Sequence, residues 1–388
     1  MRRVGILGGG QLGAMLAAAI HDLGGDVSIY DPDPQAPARR LTDTSVCAPW
    51  TDAAALSGFI AGCDVVTYEF ENVDTSALRA LAHGRPIAPS LSILEITQDR
   101  VREKEFCRDR GLPHVAFRAV ARPADLVAAG REFGMPLILK TARGGYDGKG
   151  QAFIRTAGDL AEAAARFADV ADGFILEEVI EMEAEVSCIV ARGPSSEATF
   201  PIFENLHRDH ILDFTVLPAR LSPATARRTQ QVALAAARAL DLEGLLTVEF
   251  FVGRSTRTGE PTVCINEFAP RPHNSGHVTL AACTMSQFEA LAHILLDVPL
   301  VAPRMAGLGS YCMGNLLGDV WLAQGRTTLD LAAWAHHPDV IDVMLYGKRE
   351  PRARRKMGHF ITHGDTGDEA LEAARRFREE LARPRRGS

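Results

Sequence analysis

The chain has no apolar run of the ~20 residues that a membrane helix needs, no internal repeat and no low-complexity segment. Its seven cysteines (Cys47, Cys63, Cys107, Cys188, Cys264, Cys283 and Cys312) are odd in number, and no two have CxxC spacing. That argues against a disulfide framework and a zinc site and suits reduced thiols in a cytoplasm. The net charge of −7 lacks the basic excess of a nucleic-acid binder. Neither a membrane nor a nucleic acid is therefore expected as a partner, and any anion site must come from local placement of Lys, Arg and backbone N–H groups. Arg2-Arg3 and the apolar stretch behind it imitate a signal peptide. However, Gly8-Gly9-Gly10-Gln11 interrupts that stretch and a strand–helix–strand pattern continues through it.

What is present is an ordinary globular composition, 46% apolar and 23% charged over 388 residues, enough for two or three cored domains. Strands at 3–7, 27–30, 64–68 and 86–88 alternate with helices at 11–23 and 75–82, which predicts a parallel sheet. A charged helix over 98–110 leaves this region and stops at Gly111-Leu112-Pro113. A compact α+β segment follows: helix 123–133, strand 137–140, a glycine-rich loop, strand 151–154, helix 157–167 and strand 174–177. From 179 the chain is strand-rich, with helices at 223–240, 285–296 and 368–381. The expected domains are 1–112, 113–178 and 179–388.

Three stretches carry chemistry. The first is Lys140 at a strand end, leading into Gly144-Gly145-Tyr146-Asp147-Gly148-Lys149-Gly150-Gln151. Glycines let N–H groups approach an anion, and lysines suit phosphate. Tyr146 and Asp147 exceed what phosphate needs, though the loop is also good turn chemistry. The second is Gly8-x-Gly10-x-x-Gly13 with Asp31 at the end of the next strand, a dinucleotide fingerprint in every element. The same glycines serve any tight turn over an anion, including a substrate phosphate. The third is Glu249 and Glu267. A hairpin centred near Thr258 sets them directly opposite, ~5 Å apart, where two like charges call for a hard cation such as Mg²⁺. Asn266 alternates to the other face but stands close enough to reach a ligand. Beyond lies Ala269-Pro270-Arg271-Pro272-His273-Asn274-Ser275-Gly276-His277, dense in donors but without a third soft ligand for zinc. Glu177-Glu178-Val179-Ile180 reads as a hinge that could take an adenine edge and ribose hydroxyls. Glu69 and Asn72 follow a strand end where α/β ligand sites cluster. Tyr346-Gly347-Lys348 and the basic run to Lys356 read as an anion-binding turn.

These features resemble the ATP-grasp superfamily: an α/β and α+β fold with a Rossmann-like first domain, a small flap and a strand-rich C-terminal domain. Thr67–Val73, Gln98-Asp99-Arg100 with Glu103-Lys104, Gly145–Gln151, Asp213-Phe214-Thr215, Asn266–His277 and Tyr346-Gly347-Lys348 narrow this to the 5-(carboxyamino)imidazole ribonucleotide synthase family. The resemblance spans about residues 3–365. One departure is His210, where the family usually has glycine. The resemblance implies that ATP is bound by Arg100, Lys140, Gly145, Gly148, Lys149, Gly150, Gln151, Glu177, Glu178, Val179, Ile180, Glu185, His207 and Asn266. Glu249 and Glu267 would hold Mg²⁺. Tyr146, Asp147, Arg271 and Lys348 would serve catalysis. Gly10, Gln11, Leu12, Glu69, Asn72, His273, Asn274, Ser275 and Arg355 would bind 5-aminoimidazole ribonucleotide. Bicarbonate is the second substrate, and a homodimer in the cytoplasm is the expected form. The rivals are a glycinamide ribonucleotide transformylase or biotin carboxylase of the same superfamily, an NAD-dependent dehydrogenase, and a non-catalytic nucleotide-binding regulator.

Overall fold

The computed structural model describes residues 2–42, 44–144, 150–325 and 327–383. Gly145, Tyr146, Asp147, Gly148 and Lys149 lie outside them. The N-terminal third forms β1 (Arg3–Leu7), α1 (Gln11–Asp22), β2 (Asp26–Tyr30), β3 (Thr44–Val46), α2 (Ala53–Ala61), β4 (Val65–Tyr68), α3 (Thr75–Leu81), α4 (Leu91–Thr97) and α5 (Arg100–Asp109). Its four strands make a parallel sheet in the order β3-β2-β1-β4. Three elements escaped the sequence reading: β3, α2 and α4. The strand expected at 86–88 is a single bridge, Ile87 to Val66. The charged helix starts at Arg100, because Asp99 caps it by accepting the N–H groups of Val101 and Arg102.

The dinucleotide fingerprint is folded against its own use. Asp31 accepts the Gly9 N–H at 2.6 Å and the Asp33 N–H at 2.7 Å, so its carboxylate is occupied where a ribose would need it. Ala36 packs over Gly9, and Ala38 N–H bonds to the Gly9 carbonyl at 2.9 Å. Gly8 sits at φ +107°, a conformation that side chains rarely adopt. A Cβ on Gly13 would lie 2.7 Å from the Gly8 carbonyl oxygen, which is how closely α1 approaches the turn.

The flap comprises β5 (Phe117–Val120), α6 (Leu126–Phe133), β6 (Leu137–Thr141), β7 (Gln151–Ile154), α7 (Ala157–Arg166) and β8 (Phe174–Glu178). Its antiparallel sheet runs β5-β8-β6-β7, with both helices on one apolar face around Leu126, Leu137, Leu139, Leu160 and Leu176. β5 was not foreseen.

The remainder builds one antiparallel sheet of nine strands. Its members are β9 (Ile180–Arg192), β10 (Glu197–Thr199), β11 (Phe203–Arg208), β12 (Ile211–Leu217), β13 (Gly244–Ser255), β14 (Pro261–Ala269), β15 (Ser310–Leu317), β16 (Val340–Leu345) and β17 (Lys356–Gly364). The order is β14-β13-β9-β11-β12-β15-β17-β16, with β10 beside β9. The helices are α8 (Pro223–Ala239), α9 (Thr279–Ala282), α10 (Gln287–Leu295), α11 (Gly318–Gln324) and α12 (Gly367–Leu381). Alternation sorts the sheet's two faces. Val186, Cys188, Val190, Leu246, Val248 and Phe250 pack with Val232, Ala233 and Ala236 of α8. Ile189, Ala191 and Leu245 join α10 and, through it, α1. Ser187, Thr247 and Glu249 share the second face. Among the described residues no helix is long and apolar enough to cross a membrane.

Gly13→Ala should lower stability by about 1–3 kcal/mol through overpacking. The check is the denaturant midpoint; an unchanged midpoint would mean that the turn relaxes to admit the methyl.

Candidate active-site cleft

The hairpin register places Glu249 opposite Glu267, as the spacing predicts. One detail differs. Ile265 pairs with Phe250, so a bulge separates the two pairs and leaves Asn266 as the extra residue. Ile265 and Phe268 both face the α8 core, which turns Asn266 and Glu267 together toward the cleft. Asn266 therefore does not alternate to the far face. Its Oδ1 lies 3.5 Å from Lys140 Nζ, and its carbonyl accepts from Lys104 Nζ.

Lys140 on β6 bonds Glu177 Oε2 on β8 at 2.6 Å, and Lys104 on α5 stands 3.6 Å from Glu177 Oε1. Burial would raise the Glu177 pKa, but Lys140 and Lys104 outweigh it and hold the carboxyl at about 2. Glu177 thus holds two lysines at the cleft. Glu178 is committed too. It accepts from the Ser255 hydroxyl, from Arg257 N at 3.1 Å and from Ala116 N at 3.3 Å, pinning the β13–β14 loop to the flap. The Val179 carbonyl accepts from Thr256 Oγ1 at 2.7 Å. Ile180 opens β9. Glu185 on β9 meets His207 on β11. Burial lowers the His207 pKa, and the bond to Glu185 more than restores it, leaving it raised. Arg100 reaches the carbonyls of Thr141 at 3.0 Å and Gly144 at 2.6 Å, at the mouth of the glycine-rich loop next to Gly150.

Glu249 Oε1 is 3.0 Å from His273 Nε2. Burial raises the pKa of both cleft glutamates. His273 reverses this for Glu249, whose pKa falls, whereas the charge of Glu249 adds to the rise at Glu267. Two opposed carboxylates, one ionised and one destabilised by it, form an all-oxygen donor pair that fits a hard divalent cation completed by phosphate oxygens. His277, weighed for zinc, is buried, with its ring centroid 5.8 Å from Phe288 and 4.9 Å from His359. Burial and His359 push its pKa far down.

A second site opens at the N-terminus of α1. Gly10, Gln11 and Ala36, the basic Lys348, Arg349, Arg352 and Arg355, and the acidic Asp31, Asp33 and Glu350 line a cleft of about 360 Å³. Gly10 offers α1 no side-chain cap, and Leu12 is buried beneath. Glu69 accepts the Gly10 N–H. Burial raises its pKa, opposed by the N–H groups of Gly10 and Gly13 and by Arg271. Lys348 donates to the Lys356 carbonyl at 2.8 Å, and burial, with Arg355 beside it, lowers its pKa to about 8.

Arg271 stands between the two sites. Its Nη2 bonds Glu71 at 3.0 Å. Burial opposes its charge, but Glu71, Glu69 and Glu267 hold its pKa raised. Asn72 is exposed at the same turn and Asn274 is buried. Ser275 is fully buried and its hydroxyl sits 2.9 Å from both His273 Nδ1 and Ser187 Oγ, so it presents no surface to a ribonucleotide. His210 and Asp209 form the two-residue β11–β12 turn at φ +64° and +51°, the conformation glycine adopts without strain. His210 nevertheless reaches Gln151 Nε2 at 3.2 Å. The sequence reading missed Lys104, Glu103 and Glu71 as members of the cleft. The first two sit in a charged run that reads as a solvated helix face.

Three family models match in chain order: ribonucleotide synthetase preATP-grasp domain over residues 1–98, ATP-grasp domain over 105–288, and phosphoribosylaminoimidazole carboxylase C-terminal domain over 312–373. The N5-carboxyaminoimidazole ribonucleotide synthase of Brucella melitensis is 40% identical over 92% of this chain and 94% of its own length. The enzyme of the same name from Bacillus subtilis is 35% identical over 95% and 93%. Among solved structures, an ADP complex of N5-carboxyaminoimidazole ribonucleotide synthetase superposes with TM-score 0.88 at 37% identity, covering 97% of this chain and 96% of that one. The synthase from Aspergillus clavatus with ADP and 5-aminoimidazole ribonucleotide gives 0.84 at 29% identity, covering 98% of each chain.

Glu103 generates a pH prediction. Burial lifts its pKa to about 8, only partly offset by Lys104. Between the unfolded carboxyl value of ~4.3 and about 8, the folded state holds the proton that the unfolded state has released. Glu103 therefore contributes a fall in stability as pH rises through that window, opposed below the ordinary imidazole range by His277 and His359, whose burial lowers their pKa values. Glu103→Gln should remove this decline, measured as denaturant midpoints from pH 5 to 9. A difference between wild-type and variant midpoints that does not change with pH across the window would refute the assignment.

Proposed function

We infer the chemistry of this cleft from one premise: the chain belongs to the N5-carboxyaminoimidazole ribonucleotide synthase family of ATP-grasp enzymes. The reaction is the ATP-dependent N-carboxylation of 5-aminoimidazole ribonucleotide in purine biosynthesis, with bicarbonate as the carbon source. The observation that carries this reading is the position of Arg271, within electrostatic reach of Glu267 at the nucleotide end and of Glu69 at the α1 pocket. One guanidinium thereby joins the two halves of a single cleft, so that two anionic substrates meet around it.

At the nucleotide end Lys140, with Lys104 and Glu177 behind it, neutralises phosphate charge, and Glu249 and Glu267 would hold Mg²⁺, which supplies further neutralisation on the polyphosphate. A bicarbonate oxygen attacks the γ-phosphorus and ADP leaves, giving carboxyphosphate. Carboxyphosphate breaks its C–O bond to phosphate and releases carbon dioxide. The exocyclic amine nitrogen then bonds that carbon and gives up a proton, for which Asp147 is the proposed acceptor. Tyr146 and the glycine-rich loop would close over the site and keep water from carboxyphosphate. The α1 N-terminus, Lys348 and Arg355 suit the ribonucleotide phosphate. A cytoplasmic homodimer is part of the same proposal. Free thiols at all seven cysteines suit a reducing compartment, and the dimer rests on family likeness alone.

ADP release should require bicarbonate and be strongly stimulated by 5-aminoimidazole ribonucleotide in a coupled ATPase assay. Equal stimulation by glycinamide ribonucleotide would sink the reading. Asp147→Ala should abolish product and spare ATP affinity; lost ATP binding would refute its role. Because Lys348 is cationic only below about pH 8, KM for the ribonucleotide should climb as pH passes 8. Lys348→Met should show a high KM at every pH, and a wild-type KM flat from pH 7 to 9 would remove Lys348 from the phosphate site.

A further inference from the structure

We propose that Ser187, Asn205 and Thr215 are positioning residues for the carboxylate of Glu249, acting through Ser275 and His273. The inference rests on the metal assignment made above. Strand register brings the groups together: Glu249 is directly opposite Ser187, and Asn205 is directly opposite Thr215. A continuous line of hydrogen bonds runs across the sheet. Thr215 Oγ1 donates to Asn205 Oδ1 at 3.2 Å, and Asn205 Nδ2 donates to Ser187 Oγ at 2.9 Å. Ser187 Oγ and Ser275 Oγ are 2.9 Å apart, as are Ser275 Oγ and His273 Nδ1. His273 Nε2 ends the line 3.0 Å from Glu249 Oε1. Ser187, Thr215 and Ser275 are 0% exposed and Asn205 is 5% exposed, so water does not compete for these bonds.

The direction of the line follows from a group that cannot reverse. The backbone N–H of Ser275 points at His273 Nδ1 at 3.4 Å, making Nδ1 an acceptor. The neutral ring then carries its proton on Nε2, which donates to Glu249. Ser275 gives its hydroxyl hydrogen to Nδ1 and accepts from Ser187. The amide hydrogen from Asn205 leaves Ser187 free to donate onward, and Thr215 fixes which end of the Asn205 amide faces Ser187. Every hydrogen in the line points toward Glu249. A carboxylate opposite a second carboxylate is pushed to rotate away from it. A fixed donor on Oε1 stops that rotation and leaves Oε2 for the cation. This is how buried outer groups orient a metal-binding side chain. Apolar residues at these buried positions would pack the sheet without holding Glu249 in one orientation.

The test measures Mn²⁺ binding by electron paramagnetic resonance in the presence of a non-hydrolysable ATP analogue, with analogue affinity measured separately without metal. Ser187→Ala should weaken Mn²⁺ binding about tenfold, and the isosteric Thr215→Val by less, both leaving metal-free analogue affinity unchanged. His273→Gln, which keeps an N–H near the Nε2 position, should retain most of the Mn²⁺ affinity that His273→Phe loses. Long-range ¹H–¹⁵N correlation on wild-type protein with labelled histidine should show His273 protonated at Nε2 alone. Wild-type Mn²⁺ affinity in both Ser187→Ala and Thr215→Val overturns the proposal, as does a proton on Nδ1. Wild-type protein that binds the analogue but no Mn²⁺ overturns the metal assignment itself, a result distinct from those.

Discussion

The carboxylate of Glu177 is the point at which the flap, helix α5 and the large sheet of this protein are tied together. It lies on the flap strand β8 and draws in Lys140 from the neighbouring flap strand and Lys104 from α5, the helix that leaves the N-terminal sheet. Both lysines continue to Asn266 on the large sheet, one to its side chain and one to its carbonyl. Three charges this deeply buried are tolerable only because they compensate one another, and removing one would strand the rest. Their arrangement holds the lysines beside Asn266 and not out in solvent, which is where the proposed polyphosphate site needs them.

From that node the charge pattern alternates along the cleft. Lysines give way to the Glu249–Glu267 pair, then to Arg271 with Glu71, then to Glu69 and Lys348 at the N-terminus of α1. Each sign is held in place by the next, so both substrates can be bound as anions by a protein whose overall charge is negative. The fingerprint glycines fit the same logic. At the turn between β1 and α1 the Glu69 carboxylate takes the Gly10 N–H, while Asp31 and Ala36 occupy the positions that a dinucleotide would need.

Much of this was legible one residue at a time. The hairpin carrying Glu249 and Glu267 follows from local spacing, but its ladder beyond Phe250 runs one residue off the centre at Thr258, and the bulge at Asn266 is what sets Glu249 opposite Glu267. Lys140 at a strand end before glycines, the parallel alternation of the first domain and the helix stop at Gly111 follow from equally local rules. The short elements were not legible. β3 has only three residues, and β5 is a flap-edge strand with a half-buried pattern, so neither shows a strong period. The resemblance assigns Glu178 and Ser275 to ligands; what no motif shows is that the Glu178 carboxylate also takes donors of the β13–β14 loop and that the Ser275 hydroxyl lies in the sheet interior.

The sequence by itself determined the family, the kind of reaction and the hairpin that carries the two glutamates, since each is encoded in contiguous motifs or in a fixed spacing. Only the tertiary structure decided which charges are buried together. Lys104 and Glu177 are 73 positions apart, and Glu71 and Arg271 are 200 apart. Such pairs have no local signature, because what selects them is the cost of burying a charge alone, and burial is set by the packing of the whole chain. The bulge at Asn266 belongs to the same class. A one-residue slip in a ladder turns a side chain from one face to the other, and the apolar demand of Ile265 and Phe268 against α8 settled it.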